Sequence, residues 1–325
     1  LAGADGIYIY DCASHRLAKT VATGLIKCAD MATDRAGRVW ISTQQGVYRY
    51  DHSKGVLDNY SPDNTSGFES PFMRFALPLE NGRVLVCSEI HTLGYLYPEQ
   101  RRFEPLNAEI PELNNYRTMI AACRMTERDK VGVFTQNGAF ILDVSENKLT
   151  PMDILEPVTK YSKKYNCVHR DRTGKLWIGT QNGLLLVQGD SVVRLTCADG
   201  LTNTGIQSIV EDADGRLWVA TSLGINRITL NGDYLQVFPL GVADGIPQAD
   251  LIERGAHVMP DGTAYFAMQK GLASFHTRDF NLPNTVLPVH IVGVRVMGET
   301  FPEKGGMELS YRRNYIEIDF SALNY

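Results

Sequence analysis

Asp34-Arg-Ala-Gly37-Arg-Val-Trp40-Ile-Ser-Thr43-Gln-Gln-Gly46 is one of three copies of a thirteen-residue phrase. The others are Asp171-Arg-Thr-Gly174-Lys-Leu-Trp177-Ile-Gly-Thr180-Gln-Asn-Gly183 and Asp212-Ala-Asp-Gly215-Arg-Leu-Trp218-Val-Ala-Thr221-Ser-Leu-Gly224. All 3 tryptophans of the chain stand in the same slot of it. A repeat of this kind decides the architecture before any single element is read.

The closing glycine keeps the register where the tryptophan is gone. Glycines fill that slot at 6, 46, 94, 138, 183, 224 and 271, at steps of 40, 48, 44, 45, 41 and 47 residues. That period is expected of one four-stranded propeller blade. Degenerate copies carry leucine (Leu85) or tyrosine (Tyr265) in the tryptophan slot, and the copy ending at Gly138 has lost it.

Within one unit the strands read as Ile206–Glu211, Leu217–Thr221, Ile225–Thr229 and Tyr234–Phe238, with Asp-Ala-Asp-Gly, Ser-Leu-Gly and Asn-Gly turns between them. The tryptophans are expected between adjacent sheets as large contact residues. The repeated aspartates are expected to bond backbone N–H groups of their own turns. Six units read as complete, from about Gly24 to Thr277. The first supplies only two strands, Gly6–Tyr10 and Arg16–Val21. The expectation is therefore all-β: a seven-bladed β-propeller over residues 1–280, six blades complete and the first partial, with two further strands upstream of Leu1.

Composition narrows the function classes. A hydrophobic content of 44% suffices for well-packed sheets, and 32 basic against 37 acidic residues argue against a nucleic-acid or anionic-membrane surface. The 6 cysteines lack C-x-x-C spacing, which argues against a zinc cluster. Cys87, Cys123 and Cys167 fall in predicted strands and read as buried free thiols, although an oxidising compartment leaves disulfides open. No H-E-x-x-H, G-x-S-x-G or P-loop motif is present, so no catalytic centre, metal or cofactor is expected.

After residues 281–288, a linker with two prolines, the pattern changes. Val289–Val296 reads as a strand. Tyr315-Ile-Glu-Ile-Asp-Phe320 alternates, with Ile316, Ile318 and Phe320 on one face as in a half-buried strand. Residues 289–325 are read as the start of a sandwich.

The phrase D-x-x-G-x-L-W-I-G-T-x-x-G resembles the two-component regulator propeller repeat. The stretch from Leu287-Pro-Val-His-Ile to Leu309-Ser-Tyr-Arg-Arg-Asn-Tyr-Ile-Glu-Ile-Asp-Phe-Ser-Ala-Leu-Asn-Tyr325 resembles the opening of the immunoglobulin-like domain, called triple-tyrosine or Y_Y_Y, that follows such propellers. Together the two resemblances cover nearly the whole chain. They imply a periplasmic sensor region of a hybrid two-component system of Bacteroides-type bacteria. In such systems two propellers precede the sandwich, and a membrane helix, a histidine kinase, a receiver and a DNA-binding domain follow it. The implied ligand is a glycan-derived oligosaccharide, the implied assembly a homodimer, and the implied place the periplasmic part of an inner-membrane protein. No kinase motif lies in this chain, so the segment itself is not expected to be an enzyme.

Propeller ligands meet the face carrying the loops into the innermost strands and the turns joining second to third strands. Candidate ligand-binding residues there are Arg74, Tyr116, Arg117, Lys164, Tyr165, Asn166, Asn203, Gln248 and Asp250, with Glu89 and His91 on a turn. Amides bond sugar hydroxyls, aromatic rings lie against their C–H faces, and Arg74, Arg117 and Lys164 suit an acidic sugar. Glu89 with His91 is also the pair a lyase would need for acid–base work, which keeps a propeller lyase or hydrolase as the alternative. A non-catalytic protein-interaction propeller is the third reading.

Overall fold

The computed structural model describes all residues except 4, 15, 25–26, 90–91, 111–112, 114–118, 136–137, 156–164, 233, 247–250, 270, 281–288, 302–314 and 323–325. It divides into two units, Leu1–Thr277 and Arg278–Tyr325.

Among the described residues the first unit contains seven antiparallel sheets, each a meander of sequential strands. The first has two strands, β1 (Gly6–Asp11) and β2 (Arg16–Thr23). Five sheets of four strands follow. They are β3–β6 (Asp30–Thr33, Val39–Thr43, Gly46–Asp51, Val56–Tyr60) and β7–β10 (Met73–Pro78, Val84–Ser88, Leu93–Tyr97, Arg102–Pro105). Next come β11–β14 (Met119–Arg124, Lys130–Thr135, Gly138–Asp143, Lys148–Pro151) and β15–β18 (Tyr165–Arg170, Leu176–Thr180, Gly183–Gln188, Ser191–Leu195). The fifth is β19–β22 (Ile206–Glu211, Leu217–Thr221, Gly224–Asn231, Tyr234–Leu240). The last sheet is β23–β25 (Leu251–Val258, Thr263–Met268, Gly271–His276). The strands β3, β7, β11, β15, β19 and β23 follow one another around the ring, so the first strand of each unit lies innermost. The propeller expected from the repeat is the fold found.

The last unit differs from its expectation. Six four-stranded units were expected, but among the described residues this one has three strands. Its third strand runs into a short 3-10 turn at Thr277–Phe280, and among the described residues no fourth strand pairs with it. Thr277 is buried, and its N–H donates to the Gly262 carbonyl at 2.9 Å, which draws the chain back to the second strand's end.

Each phrase builds its own hairpin. In the second copy, Asp171 Oδ1 accepts from the backbone N–H of Thr173 (2.9 Å) and of Lys175 (3.0 Å), while Oδ2 accepts from the Trp177 indole N–H at 2.8 Å. Asp34 serves Ala36, Arg38 and Trp40 in the same way, and Asp212 serves Asp214, Arg216 and Trp218. This explains why aspartate stands six residues before tryptophan. Thr180 closes the phrase by donating to the Gly183 carbonyl at 2.8 Å and accepting from the Asn182 N–H at 3.0 Å. The glycine is obligatory: Gly183 has φ +132°, and a Cβ there would run into the Leu195 carbonyl oxygen of the fourth strand.

The cores lie between sheets. Trp40 packs with Tyr60, Met73 and Val86, joining β3–β6 to β7–β10, and Trp177 joins β15–β18 to β19–β22 beside Leu217 and Val219. Trp218 meets Phe275 of the last sheet at 5.1 Å between ring centroids. The three are equivalent, each facing the next sheet. Burying each contributes about 4–6 kcal/mol of gross transfer free energy.

The second unit holds one sheet in the order β27-β26-β28, with β26 Val289–Val296, β27 Glu299–Phe301 and β28 Ile316–Ala322. The alternation of β28 is as read, but its apolar face is exposed rather than half-buried. Phe320 is 70% accessible, and among the described residues no second sheet covers it. On the opposite face Arg295 bonds Glu317 (2.7 Å) and Asp319 (3.0 Å). The linker expected at 281–288 lies outside the described residues.

Candidate functional site

The ring presents two kinds of turn. The Asp-Trp turns join first to second strands. The Thr-x-x-Gly turns lie at the other end of the strands, beside the loops that enter the innermost strands. These latter turns largely satisfy themselves. Gln45 N–H donates to Thr43 Oγ1 at 2.9 Å, and the Gln45 carbonyl accepts from Asn59 Nδ2 at 3.2 Å.

One irregularity recurs at this end. The register of β7 on β8 skips from Met73 to Phe75, leaving Arg74 as an extra residue. The same skip leaves Asn166 in β15 and Gln207 in β19, and it also falls after Met119 in β11. A bulge re-aims the side chain it carries and is over-represented beside functional sites. The ring thus holds a recurring bulge at the mouth of its axis, and the four bulge positions carry arginine, isoleucine, asparagine and glutamine. In β23 the interruption is larger, between Leu251 and Ala256. It includes Arg254 in the left-handed conformation at φ +58°.

The electrostatics follow from these positions. Arg74 Nη2 lies 3.0 Å from Glu89 Oε1, and Glu89 N–H donates to the Phe72 carbonyl at 2.8 Å, tying turn to entering loop. Arg74 Nε is buried without a hydrogen-bond partner among the described residues. Arg254 lies 3.9 Å from Asp30 across the ring's seam. Burial pushes the Asp30 carboxyl above its ordinary range, opposed by the Arg254 charge. Burial also pushes the thiols of Cys28, Cys87, Cys123 and Cys167 up to about 12, so these cysteines are neutral, inert and free.

The sequence-predicted residues separate into three sets. Arg74 and Glu89 come together as an ion pair at the mouth. Asn166 shares Arg74's bulge position but is buried: its Nδ2 donates to the Ile206 carbonyl at 2.7 Å, and its Oδ1 has no partner among the described residues. Tyr165 sits in the core edge-on to Phe134, only 1% accessible, so its ring offers no stacking surface. Asn203 accepts from the Gly205 N–H at 2.8 Å and shapes its own loop. His91, Tyr116, Arg117, Lys164, Gln248 and Asp250 lie outside the described residues. Sequence reasoning missed Gln207, Asp30 and Arg254. A partial signal for Gln207 was available, as Met-Arg-Phe and Tyr-Asn-Cys open two innermost strands as apolar-polar-apolar triplets and Ile-Gln-Ser opens a third with a polar residue in the same middle place. No group of three or more His, Cys, Asp or Glu side chains comes together to hold a metal among the described residues.

Comparisons with known proteins place this geometry. Residues 200–222 match the family model described as two component regulator propeller. The match falls on one copy of the phrase, the one that carries Trp218. Its fold is that of an extracellular domain from B. thetaiotaomicron, BT4673, described as part of a one component system, at 13% identity and a TM-score of 0.65. That match covers 99% of this chain and 46% of the other. The extracellular domain of the hybrid two component system BT3049 from the same organism matches at 18% identity and a TM-score of 0.53, over 93% and 47% of the two chains. The chain therefore spans just under half the length of these two extracellular domains. Virginiamycin B lyase from Staphylococcus aureus, in a catalytically inactive form with quinupristin, shares the fold at 14% identity and a TM-score of 0.56, over 77% and 80%. A comparison with curated proteins finds no match.

Proposed function

We propose that this chain is the ligand-sensing part of a hybrid two-component system, exposed in the periplasm, and that it detects an oligosaccharide at the mouth of the propeller. The observation that carries the reading is the order of its units, a propeller of two-component regulator repeats followed by a separate β-sheet unit. The mouth's chemistry supports the ligand class. Arg74, Gln207 and Arg254 offer donors, and Glu89 offers an acceptor. That set suits hydroxyls and a carboxylate better than an apolar ligand. Signalling then requires that the ligand favour one arrangement of a homodimer over another. The unit after Thr277 is the lever toward a membrane helix and histidine kinase. The lyase alternative loses ground at Glu89, whose carboxylate is engaged by the Arg74 guanidinium at 3.0 Å.

The test is calorimetric titration with neutral and acidic oligosaccharides. Alanine at Arg74, Arg117 and Lys164 together should weaken an acidic sugar more than ten-fold, because charge-assisted bonds are worth about 1.5–3 kcal/mol each. A neutral sugar should change less than three-fold. Binding of no glycan, or polysaccharide cleavage abolished by Glu89→Gln, would overturn the reading.

A further inference from the structure

On the face opposite the mouth, at the Asp-Trp turns, a cleft of about 180 Å³ opens between the β3–β6 and β7–β10 sheets. Arg35, Arg38, Arg49 and Arg124 line it, together with apolar Trp40 and Pro78.

The equivalent junction between β15–β18 and β19–β22 is bridged by an internal carboxylate. Arg172 follows Asp171 as Arg35 follows Asp34. It donates from Nε to Glu211 at 2.7 Å and from Nη1 to the Ala213 carbonyl at 2.7 Å. Glu211 ends its innermost strand, one residue before Asp212, and β7 ends on Pro78 in the same place. The backbone fixes this equivalence. Leu79 N–H donates to the Arg83 carbonyl at 2.8 Å, as Asp212 N–H donates to the Arg216 carbonyl at 3.0 Å. Pro78 offers no carboxylate, so Arg35 pairs with Glu80 instead, which Arg128 also holds at 3.2 Å.

The other lining carboxylates are taken as well. Asp34 is held by Arg38 at 2.7 Å, and Glu99 by Arg49 at 2.8 Å. Arg124 is left on a neutral partner: among the described residues it pairs with no carboxylate, and its Nε donates to the Pro78 carbonyl at 3.1 Å. Burial pushes its guanidinium below the ordinary range, opposed by the charge of Glu80. A partly desolvated cation fixed on a carbonyl oxygen is stabilised by an anion beside it.

We propose that this cleft is a site for a single oxyanion, a carboxylate or a sulfate ester, seated where the repeat has lost the carboxylate of Glu211. Arg124 holds it from the fixed side. The Arg35 side chain, 72% accessible, turns from Glu80 to close on it. The planar fork of arginine suits both groups. The cleft is smaller than the roughly 300–1,000 Å³ of pockets that take whole small molecules, so it reads one charged group of a larger molecule. The inference is independent of the ligand read at the mouth, since the two lie at opposite ends of the strands.

The test is calorimetric titration of the full chain with acetate and with methyl sulfate, at an ionic strength fixed with chloride. One saturable site in the millimolar range is expected, and the tighter of the two anions names the group. Arg124→Gln keeps a donor for the Pro78 carbonyl and should weaken the tighter anion at least ten-fold. Pro78→Glu restores the carboxylate of the equivalent junction and should abolish binding. Arg172→Gln, at the bridged junction, should bind as the parent does. No saturable binding of either anion, or parent-like binding by Arg124→Gln or by Pro78→Glu, would overturn the proposal. Loss of binding in Arg74→Ala would overturn it too, because the anion would then sit at the mouth.

Discussion

Replacing Asp171 by alanine removes a carboxylate that accepts four hydrogen bonds, from the Thr173 N–H and hydroxyl, the Lys175 N–H and the Trp177 indole. The Trp177 ring is 1% accessible, so its N–H would be left buried without an acceptor, at about 1–3 kcal/mol. The Thr173 and Lys175 amides lie nearer solvent and lose less, roughly 0.5–1.5 kcal/mol each. The expected loss is about 2–6 kcal/mol. At roughly 2 °C per kcal/mol for a domain of this size, Tm should fall by about 4–12 °C. Asp214→Ala is the control: Asp214 is 63% accessible and pairs with Arg216 at the surface, so it should cost less than about 1 kcal/mol. Urea denaturation of Asp171→Ala, Trp177→Phe and the double variant checks the mechanism. Without the indole N–H, the aspartate substitution should cost about 1–2 kcal/mol less than in the parent. The acid limb supplies a further check. Burial would raise the Asp171 carboxyl, but the Thr173 and Trp177 bonds hold it below its ordinary 3.8. A depressed folded pKa gives stabilisation that is complete above 3.8 and lost as pH falls through the folded value, so parent and variant should converge in acid. A cost under 1 kcal/mol, or strict additivity in the cycle, would refute the assignment.

Two further outcomes follow from the geometry. Gly183→Ala should cost about 3 kcal/mol or more, because the new Cβ meets the Leu195 carbonyl in a left-handed backbone conformation. Gly189→Ala, at φ +56° in open space, should cost only about 1–2 kcal/mol, and equal urea midpoints for the two would contradict the close-approach argument. Burial pushes His169 and His257 below their ordinary 6.5, with Glu211 partly opposing this at His169. Their neutral forms stabilise the fold fully above 6.5, and that part is lost as pH falls toward the folded values. Unfolding free energy should be lower at pH 5.5 than at 7.5, and a flat profile would exclude them.

The propeller was legible because its determinants are local. Asp171, Gly174, Trp177, Thr180 and Gly183 each do work within thirteen residues, so their spacing is the fold written out. The sheet boundaries of the β19–β22 unit were legible for the same reason. Arg254 was not legible, because its position depends on an irregularity that only pairing with β24 creates. Tyr165 was misread as surface because the residue beside it, Asn166, is a bulge. The skip breaks the two-residue alternation and turns the tyrosine toward Phe134. The last unit lost its fourth strand from the expectation because Thr277-Arg-Asp-Phe280 carries no glycine or asparagine to reveal how the chain leaves the sheet.

The aspartate–tryptophan bond spans only six residues in all three copies. A contact so short in sequence closes at little loop entropy, long before distant sheets meet. Each copy is thus its own starting point for folding. The ring has at least three places from which growth can begin, with sheets then adding to either neighbour. Damage to one copy should slow one route and leave the others open, so that refolding rates fall less than equilibrium stability does.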